Sequence, residues 1–338
     1  MLRSSCGCPV DECNMSKISI LWRRVVGLFE GFARHVTCLS FHLTCFPCAT
    51  PRKLLVMLTA ALAFGTQGLL PDIAVAGAPP PASPALLKPS TIEAFDLYVR
   101  LTDRRSDEEL KRGTRLLWID GLPESERTQA YSELQHGAVK MRKLETLENG
   151  AAIRCPDGLI HHWVGLAFIP AAKLADVLAV LEDYNQHAVY YAPDVERSKI
   201  ESRDADHFRV FLRFRRHKVV TVVLNTEHDV QYFRDSDTKA HSRSSAVRIA
   251  QVENAGKSDE REKTPGDDDG FLWRMETWWR MIEADGGVYV QSEVVSLTRD
   301  IPAGLGWLIG PYVTSIPKES LAFTMEATRK AVVAKSRK

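Results

Sequence analysis

Histidine is the side chain here most suited to binding a metal ion or transferring a proton, and the chain has ten of them. His161 and His162 are neighbours, and neighbouring side chains on a strand point to opposite faces, so the two cannot easily share one ion. We expect one of them on the surface and the other in the core. The histidines follow neither the His-x-x-x-His nor the His-Glu-x-x-His spacing of common zinc hydrolases. The sequence therefore predicts neither a metal nor another cofactor.

Residues that could act as nucleophiles or as acid–base catalysts give no reaction signature. The chain lacks a Gly-x-Ser-x-Gly elbow, a phosphate-binding glycine loop and a dinucleotide fingerprint. Cys155 precedes a proline and has no base near it in sequence, and a lone cysteine is more often inert than reactive. His187, Tyr190 and Tyr191 are the residues we would assign to proton transfer if the protein were an enzyme.

Six of the seven cysteines fall within the first 48 residues. Cys6-x-Cys8 and Cys45-x-x-Cys48 have the form of zinc half-sites, but a structural zinc site needs four ligands in an ordered frame, and none is evident here. Cys155 is the only cysteine after them. The body of the chain therefore contains no intrachain disulfide.

A segment near the start has the order of a secretory signal. Arg52-Lys53 precede an apolar run that ends at Phe64, and small residues follow around Ala76. A positive start, a short apolar stretch and a small-residue cleavage site define such signals. We predict a signal peptide over 51–76 and an exported protein, periplasmic or extracellular.

Three segments around this signal complete the N-terminal prediction. An uncleaved membrane anchor over 54–70 is the competing interpretation, and its length is at the short end of what spans a bilayer. Residues 1–50 would precede the signal, and we expect them to be disordered or never translated. Residues 77–89 are rich in proline and alanine and predict an extended linker.

The bulk composition is typical of a globular protein with a real core. Of 338 residues, 45% are hydrophobic, and the formal net charge is +1. Without the predicted signal, acidic residues slightly outnumber basic ones, so neither nucleic acid nor an acidic membrane surface is expected as the main partner. A transient membrane contact and the oligomeric state are left open.

Two folded parts follow the linker. Residues 90–150 predict a small helical subdomain, in which Ile92, Phe95 and Val99 have helical spacing. The main body is predicted over 158–334. It opens with an apolar strand that ends at Pro170 and continues with a helix whose apolar side chains share one face.

From residue 208 onward apolar residues alternate with polar ones, as in antiparallel strands with one buried face. The polar stretch 234–243 predicts a turn and 245–252 a strand, and 254–270 is expected to be a mobile hairpin tip. Asp285-Gly286-Gly287 predicts a tight hairpin. Strand parity assigns to the inner face of this sheet Phe208, Val210, Leu212, Phe214, Met275, Thr277, Trp279, Met281, Val288, Val290, Ser292 and Val294.

The opposite face of the same strands carries charged side chains. We expect it to be solvated, with cross-strand ion pairs that each contribute about 0–1 kcal/mol. The residues concerned are Arg274, Glu276, Arg280, Glu293 and Arg299.

The chain ends in a Pro- and Gly-rich corner, from Arg299-Asp-Ile-Pro302 to Gly304-Leu-Gly-Trp307, and a predicted helix over 317–331. Together with the segments Phe168 to Leu178 and Tyr190 to Ser198, this order of elements resembles the START-like superfamily. That superfamily includes polyketide cyclases, coenzyme-Q-binding proteins and birch-pollen-allergen-like proteins. The resemblance implies an α+β helix-grip fold, in which a curved antiparallel sheet wraps around a long C-terminal helix, here with an N-terminal helical extension.

The helix-grip fold implies an apolar cavity between the sheet and the closing helix. The predicted function is to bind or carry a hydrophobic small molecule there, such as a lipid, a quinone or a polyketide-like compound, and a binding protein is favoured over an enzyme. Thr277, Ser292 or Tyr191 would orient a polar head group, and Trp307 and Tyr312 would form the mouth. The predicted ligand-binding residues are Tyr190, Tyr191, Phe208, Val210, Leu212, Met275, Thr277, Trp279, Val290, Ser292, Trp307 and Tyr312.

Two other functions stay open. A cyclase or dehydratase could use the same cavity, with His187, Tyr190 or Tyr191 as acid or base, which requires one of these side chains to face the cavity. A non-catalytic cell-envelope interaction module could instead dock through the 90–150 helices or the face of Trp278. It would need an exposed apolar patch of about several hundred Å² there.

Overall fold

The computed structural model describes residues 85–217, 221–301 and 306–336, with side chains described for 86–217, 221–301 and 315–336. The predicted signal, the anchor alternative and the cysteine half-sites lie outside the described residues, as do the side chains of Trp307 and Tyr312. Pro84–Lys338 form one compact unit. No helix in the described ranges is long and apolar enough to cross a membrane.

The described elements combine one large antiparallel sheet with helices on both of its faces. In chain order they are β1 (Ala85–Leu86), α1 (Pro89–Arg112), a 3-10 turn (Trp118–Gly121), α2 (Glu124–Gln135), β2 (Lys140–Lys143), β3 (Leu147–Glu148), β4 (Ala151–Ala152), β5 (Gly158–Pro170), α3 (Leu174–Leu181), a 3-10 turn (Tyr184–Gln186), α4 (His187–Tyr190), β6 (Val195–Asp204), β7 (His207–His217), β8 (Thr221–Ser236), β9 (Lys239–Glu253), β10 (Arg261–Glu262), β11 (Asp267–Asp268), β12 (Arg274–Ala284), β13 (Gly287–Arg299) and α5 (Gly306–Lys335).

Nine of the described strands form the main sheet in the order β2-β5-β13-β12-β9-β8-β7-β6, with β10 beside β9. Asp285 and Gly286 have φ values of 53° and 74°, and they join β12 to β13 in register, with Ala284 opposite Gly287. Two positive φ angles in succession are what a two-residue hairpin of the favoured kind requires. The predicted hairpin is therefore confirmed.

The strands β8 and β9 are longer than the sequence pattern indicated. β8 reaches Ser236 and β9 begins at Lys239, so the predicted turn over 234–243 is wrong and the true turn is two residues long. The reason is that Ser242 and Ser244 occupy inner-face positions of β9. Polar residues on a face that is elsewhere apolar remove the alternation by which a half-buried strand is recognised.

The helix α5 packs against the inner face of the sheet. Val290 belongs to a buried cluster with Leu321 and Met325 of α5. At Gly165 a Cβ atom would lie 3.0 Å from Met325 Cγ and 3.2 Å from Leu321 Cγ, so the absence of a side chain lets α5 approach β5 closely. The molecule has the predicted α+β helix-grip fold.

Helices α1 and α2 cover the opposite, outer face where β5, β13 and β12 cross it. Phe95 of α1 packs with Trp278, and Leu134 of α2 packs with Phe168 and Tyr289. The expectation of a solvated outer face is wrong over these strands. Trp278 is buried and its indole N–H donates to Asp103 at 2.8 Å, so this face cannot be the docking surface considered above.

Two charges of the outer face are buried beneath α1. Glu293, 5% exposed, accepts hydrogen bonds from Arg105 and, at 2.8 Å, from His162 Nε2. Arg280, 4% exposed, donates to Glu109 at 2.8 Å. Removing one partner of such a buried pair costs about 3–5 kcal/mol, so the expectation of weak surface pairs is wrong for these two residues.

Both neighbouring histidines are buried, so the expectation of one surface histidine is also wrong. His161 is 6% exposed and its Nε2 lies 3.0 Å from Thr298 Oγ1. His162 is 1% exposed, and Tyr98 donates to its Nδ1 at 2.9 Å. Burial lowers the pKa of His161 to about 4. It also lowers the pKa of His162, against the opposing hydrogen bond to Glu293.

The insertion 254–270 is anchored and does not form the free hairpin tip expected from its composition. Glu260 accepts two hydrogen bonds of 2.9 Å from the buried guanidinium of Arg213. β10 pairs with β9, and β11 pairs with β1. Bidentate arginine–carboxylate pairs add geometric specificity as well as energy, and they hold this segment on the sheet.

The raised pKa of the outer-face residue Glu276 makes its contribution to stability depend on pH. Burial, followed by the charges of Asp103 and Asp96, raises the pKa of Glu276 to about 7 from 4.5. The contribution of protonated Glu276 to the stability of the folded protein is therefore complete below about pH 4.5 and is lost as the pH rises through about 7. We expect the contribution of Glu276 to the free energy of unfolding to fall by about 2–3 kcal/mol between pH 5 and pH 8, so Glu276→Gln should gain that much stability relative to the original protein over this range.

Urea unfolding at pH 5, 6.5 and 8 measures the effect, with Glu283→Gln on the same strand as a matched control. Hydrogen bonds from the Leu174 N–H and from Lys173 hold the pKa of Glu283 below its usual value. Its contribution is therefore lost only in the acid range, and the difference in stability between the control and the original protein should stay constant above pH 5. An unchanged pH slope in Glu276→Gln would contradict the prediction.

Candidate functional site

The inner face of the sheet is not packed uniformly. Ala167, Met281 and Val290 are fully buried under α5, whereas Trp163, Val294, Thr277, Trp279 and Phe214 are only half-buried. The register places Trp163 opposite Val294 and Val294 opposite Thr277. These five half-buried inner-face residues, three of them aromatic, are called the inner mouth below. Concave, mostly apolar surfaces with few polar groups are where small ligands bind.

Two serines flank Trp279 on this face. Trp279 lies opposite Ser292 of β13 and opposite Ser242 of β9. Each serine is 1% exposed, and neither hydroxyl oxygen has a hydrogen-bond partner in the described structure. A buried polar group without a partner costs about 1–3 kcal/mol. An alanine would leave the same space for the indole without that cost, so the hydroxyls call for a partner that is not protein.

A third polar group on the inner face is the histidine of β8. Thr226 donates its hydroxyl proton to the Leu212 carbonyl at 3.0 Å, so at 2.8 Å it accepts a hydrogen bond from His228 Nε2. That arrangement leaves Nδ1 of His228 as an acceptor, 3.5 Å from Ser244 Oγ. Burial and the nearby His187 lower the pKa of His228 to about 4. The ring is therefore a neutral acceptor at pH 7.

These polar side chains form a band across the inner face, from β13 to β8. Adjacent strands lie about 4.8 Å apart, so the band extends over about 14 Å. It consists of hydroxyl groups and a neutral imidazole and contains no charge. The arrangement can hydrogen-bond oxygen atoms of a neutral ligand, and we call it the polar strip: Thr226, His228, Ser242, Ser244 and Ser292.

The predicted ligand-binding residues divide into two groups. Thr277, Trp279 and Ser292 belong to the inner mouth or the polar strip, and Met275 is half-buried beside Phe214. The remaining predicted strand residues lie deep in the core packed by α5. As ligand contacts all of them stay predictions. The core residues are Phe208, Val210, Leu212 and Val290.

The three residues considered for acid–base chemistry are engaged in local contacts. The Tyr190 hydroxyl donates to Asp183 at 2.9 Å, and the Tyr191 hydroxyl lies 3.0 Å from Thr328 Oγ1 on α5. His187 Nε2 lies 3.1 Å from the Leu181 carbonyl oxygen. Burial raises the pKa of Tyr191 to about 12 and lowers that of His187 to about 4. The Tyr191 contact joins the end of α4 to α5, and the other two contacts are local.

Several residues of the site were not predicted. Trp163 is on β5, whose nearly continuous apolar run hides which residues face inward. Ser242 and Ser244 were missed because β9 was predicted to begin only at residue 245, and His228 was missed because the apolar alternation predicts a strand only from Val219 to Leu224 in this region. A signal was available in the alternation of Thr226, His228, Val230 and Tyr232 along β8, provided that Thr and His are counted as inner-face residues.

Metal chemistry finds no support in the described ranges. No group of three or more His, Cys, Asp or Glu side chains there is arranged to hold an ion. Burial raises the pKa of the half-buried Cys155 thiol to about 11, so the reactive thiolate is scarce at neutral pH.

Comparison with known proteins gives matches among solved structures. No protein-family model matches the chain, and no curated protein matches its sequence. The matched structures include a STAR-related lipid transfer protein fragment from Xanthomonas axonopodis (17% identity, 57% of this chain and 98% of that one, TM-score 0.36). They also include the Zhui aromatase/cyclase from Streptomyces sp. R1128 (14%, 53% and 96%, 0.34) and a START superfamily protein from Mycobacterium smegmatis (12%, 52% and 97%, 0.32).

These are proteins of the START type, the kind that the sequence resembles. At such identities and TM-scores the likeness carries no argument about a ligand or an activity. The helix-grip fold is evident from the chain's own strand order and from the packing of α5 on the inner face.

Because the hydroxyls of Ser242 and Ser292 lack hydrogen-bond partners, replacing either serine by alanine should not destabilise the protein. Ser242→Ala and Ser292→Ala each remove a buried hydroxyl that bonds nothing, so the unliganded protein should keep its stability or gain about 1 kcal/mol. Thr226→Val is the matched control, because it removes a buried hydroxyl that both donates and accepts, and it should lose about 1–3 kcal/mol. Urea unfolding midpoints measure all three, and losses in the serine variants equal to that of the control would contradict the prediction.

Proposed function

We propose that the protein binds a hydrophobic small molecule, carrying hydrogen-bonding oxygen atoms, between the inner face of the sheet and α5. The observation that supports this proposal is the pair of buried, unpartnered hydroxyls of Ser242 and Ser292 on either side of the half-buried Trp279. A ligand that reaches them would remove a cost already present in the free protein. Binding and carrying, without a chemical step, is sufficient for this role.

The energy of binding would come mainly from the inner mouth. Covering about 100 Å² of apolar surface contributes about 2.5 kcal/mol, and Trp163, Phe214 and Trp279 also offer ring faces for stacking. Hydrogen bonds to the polar strip would add selectivity, because a site built to bond an oxygen rejects an analogue that lacks it. Thr277 and Ser292 keep the predicted role of orienting a polar group. Tyr191, whose hydroxyl contacts Thr328, is assigned to holding α5.

No observation favours the cyclase or dehydratase. An acid or base must reach the proton that it transfers, directly or through one water. The His187, Tyr190 and Tyr191 side chains bond helix or core groups instead. The ligand-binding proposal does not need them.

We also propose that the protein is exported to the periplasm or beyond, as the basic pair, the apolar run and the small residues around Ala76 indicate. Intact-mass measurement of the full-length gene product tests this proposal. A mature protein that begins at residue 77 is the expected result. A full-length mass in the membrane fraction would favour the anchor instead.

Native mass spectrometry of the purified protein tests the binding proposal. We expect a bound mass that disappears on denaturation and that partitions into organic solvent. Palmitate, a short-chain quinone and a hydroxylated anthraquinone serve as added probes, read out by tryptophan fluorescence and by the melting temperature. A protein that carries no ligand and responds to none of the probes would overturn the proposal.

A blocking variant makes the test specific to the site. Thr277→Trp places a large ring in the half-buried inner mouth and should weaken probe binding by about tenfold or more, because it occupies the space that the ligand needs. Val247→Trp, at the exposed bulge of neighbouring β9, adds the same ring elsewhere and should bind as the original protein does. Equal binding by both variants would place the ligand outside the inner mouth.

A further inference from the structure

A second concave surface lies between α2, the end of β5 and α5. It is a groove of about 530 Å³. Leu134 and Phe168, both buried, form its apolar floor. Arg329 and Lys330 of α5 stand on one side, and Pro170 closes the end of β5. It is separate from the inner mouth, and the proposed function does not use it.

The groove follows an open edge of the main sheet. β2 pairs with β5 only as far as Leu166, opposite Lys140, and β5 continues to Pro170. Residues after Leu166 have β13 on one side and no described strand on the other. An unpaired strand edge presents backbone N–H and C=O groups that can pair with another chain.

The hydrogen-bond pattern identifies the groups at this edge. The Leu144 N–H donates to the His162 carbonyl at 2.9 Å, so even-numbered residues of β5 direct their backbone groups toward β2. The Ala171 N–H donates to the Gly286 carbonyl at 2.8 Å, so odd-numbered residues direct theirs toward β13. Phe168 is even-numbered and lies beyond the end of β2. Its N–H and C=O therefore point toward the side of the groove, beyond the last residue pair of the β2–β5 ladder.

The charged groups of Arg329 and Lys330 that line the groove are both basic. No acidic side chain lines the groove. Arg329 donates to the Gly137 carbonyl at 2.7 Å at the end of α2, and Lys330 is exposed on the next position of α5. The groove therefore complements a negative charge beside an extended backbone.

We propose that this groove binds an extended acidic segment of a partner protein, which adds to the β5 edge as a short strand. The partner residue opposite Phe168 exchanges two backbone hydrogen bonds with it, as in other cases of strand addition. Apolar side chains of the segment cover Leu134, and an acidic side chain lies beside Lys330. Pro170 has no N–H to donate, so the added strand is only a few residues long.

An extended peptide fits this edge better than an acyl chain does. A hydrocarbon chain would cover the N–H and C=O of Phe168 without bonding them, which costs about 1–3 kcal/mol for each group. A peptide backbone supplies one acceptor and one donor at the required spacing. Because Phe168 offers both a donor and an acceptor, a peptide is the more favourable ligand for this edge.

Three synthetic peptides test the proposal on the full-length protein. The probe is an acetylated peptide of alternating valine and glutamate, five residues long. One control replaces glutamate by lysine, and the other carries an N-methyl group on the central amide. We expect the first peptide to slow hydrogen exchange of the Phe168 amide and to shift its NMR signal, and both controls to bind at least about threefold more weakly at low salt.

A charge-reversal variant completes the test. Lys330→Glu should weaken binding of the glutamate peptide by about threefold to tenfold and restore binding of the lysine peptide. Lys318→Glu, on the same helix away from the groove, should leave both unchanged. The proposal is overturned if no peptide perturbs Phe168 at millimolar concentration, if the N-methylated peptide binds as well as the probe, or if both charge variants behave alike.

Discussion

Three adjacent strands, β5, β13 and β12, are covered by helices on the outer face and over part of their length on the inner face, and this double burial governs the rest of the structure. On the inner face α5 approaches β5 so closely that a side chain at position 165 would have no room, and glycine occupies that position. On the outer face α1 brings Arg105 and Glu109 onto charges that the strands already carry. An antiparallel sheet with one wet face would allow those charges to stay in water. Here each one needs a partner from the helix.

That requirement explains why the outer-face polar groups form chains of contacts. Burial alone would raise the pKa of Glu293, but the hydrogen bond from His162 and the charge of Arg105 outweigh it and hold the pKa below its usual value. His162 in turn accepts from Tyr98. The chain of contacts positions α1 on the sheet. Such a network is costly to break, although it is weak evidence for added stability.

The sequence predicted the parts of this architecture that local patterns encode. Alternation along β7, β12 and β13 was sufficient to identify inner-face residues such as Val290 and Trp279, and Asp285-Gly286 marked the hairpin. The sequence could not reveal that α1 covers the outer face, because the charges of Glu293 and Arg280 look the same whether solvated or paired. For the same reason the polar inner-face residues Ser242 and His228 were not recognised as parts of strands. In both cases, contacts with residues distant in sequence decide whether the side chain is buried, and the local pattern does not reveal those contacts.

Buried polar atoms without a partner lie on both faces of the sheet, and those of the inner face bear on the proposed function. Arg105 and Arg243 on the outer face each leave one nitrogen unpaired, yet each bonds a carboxylate through another. The indole nitrogen of Trp118, which packs on the outer face, also has no hydrogen-bond partner. Ser242 and Ser292 on the inner face have a single polar side-chain atom, and it bonds nothing. The two inner-face hydroxyls lie on either side of the half-buried Trp279, and this shared position is the reason that we propose a ligand there.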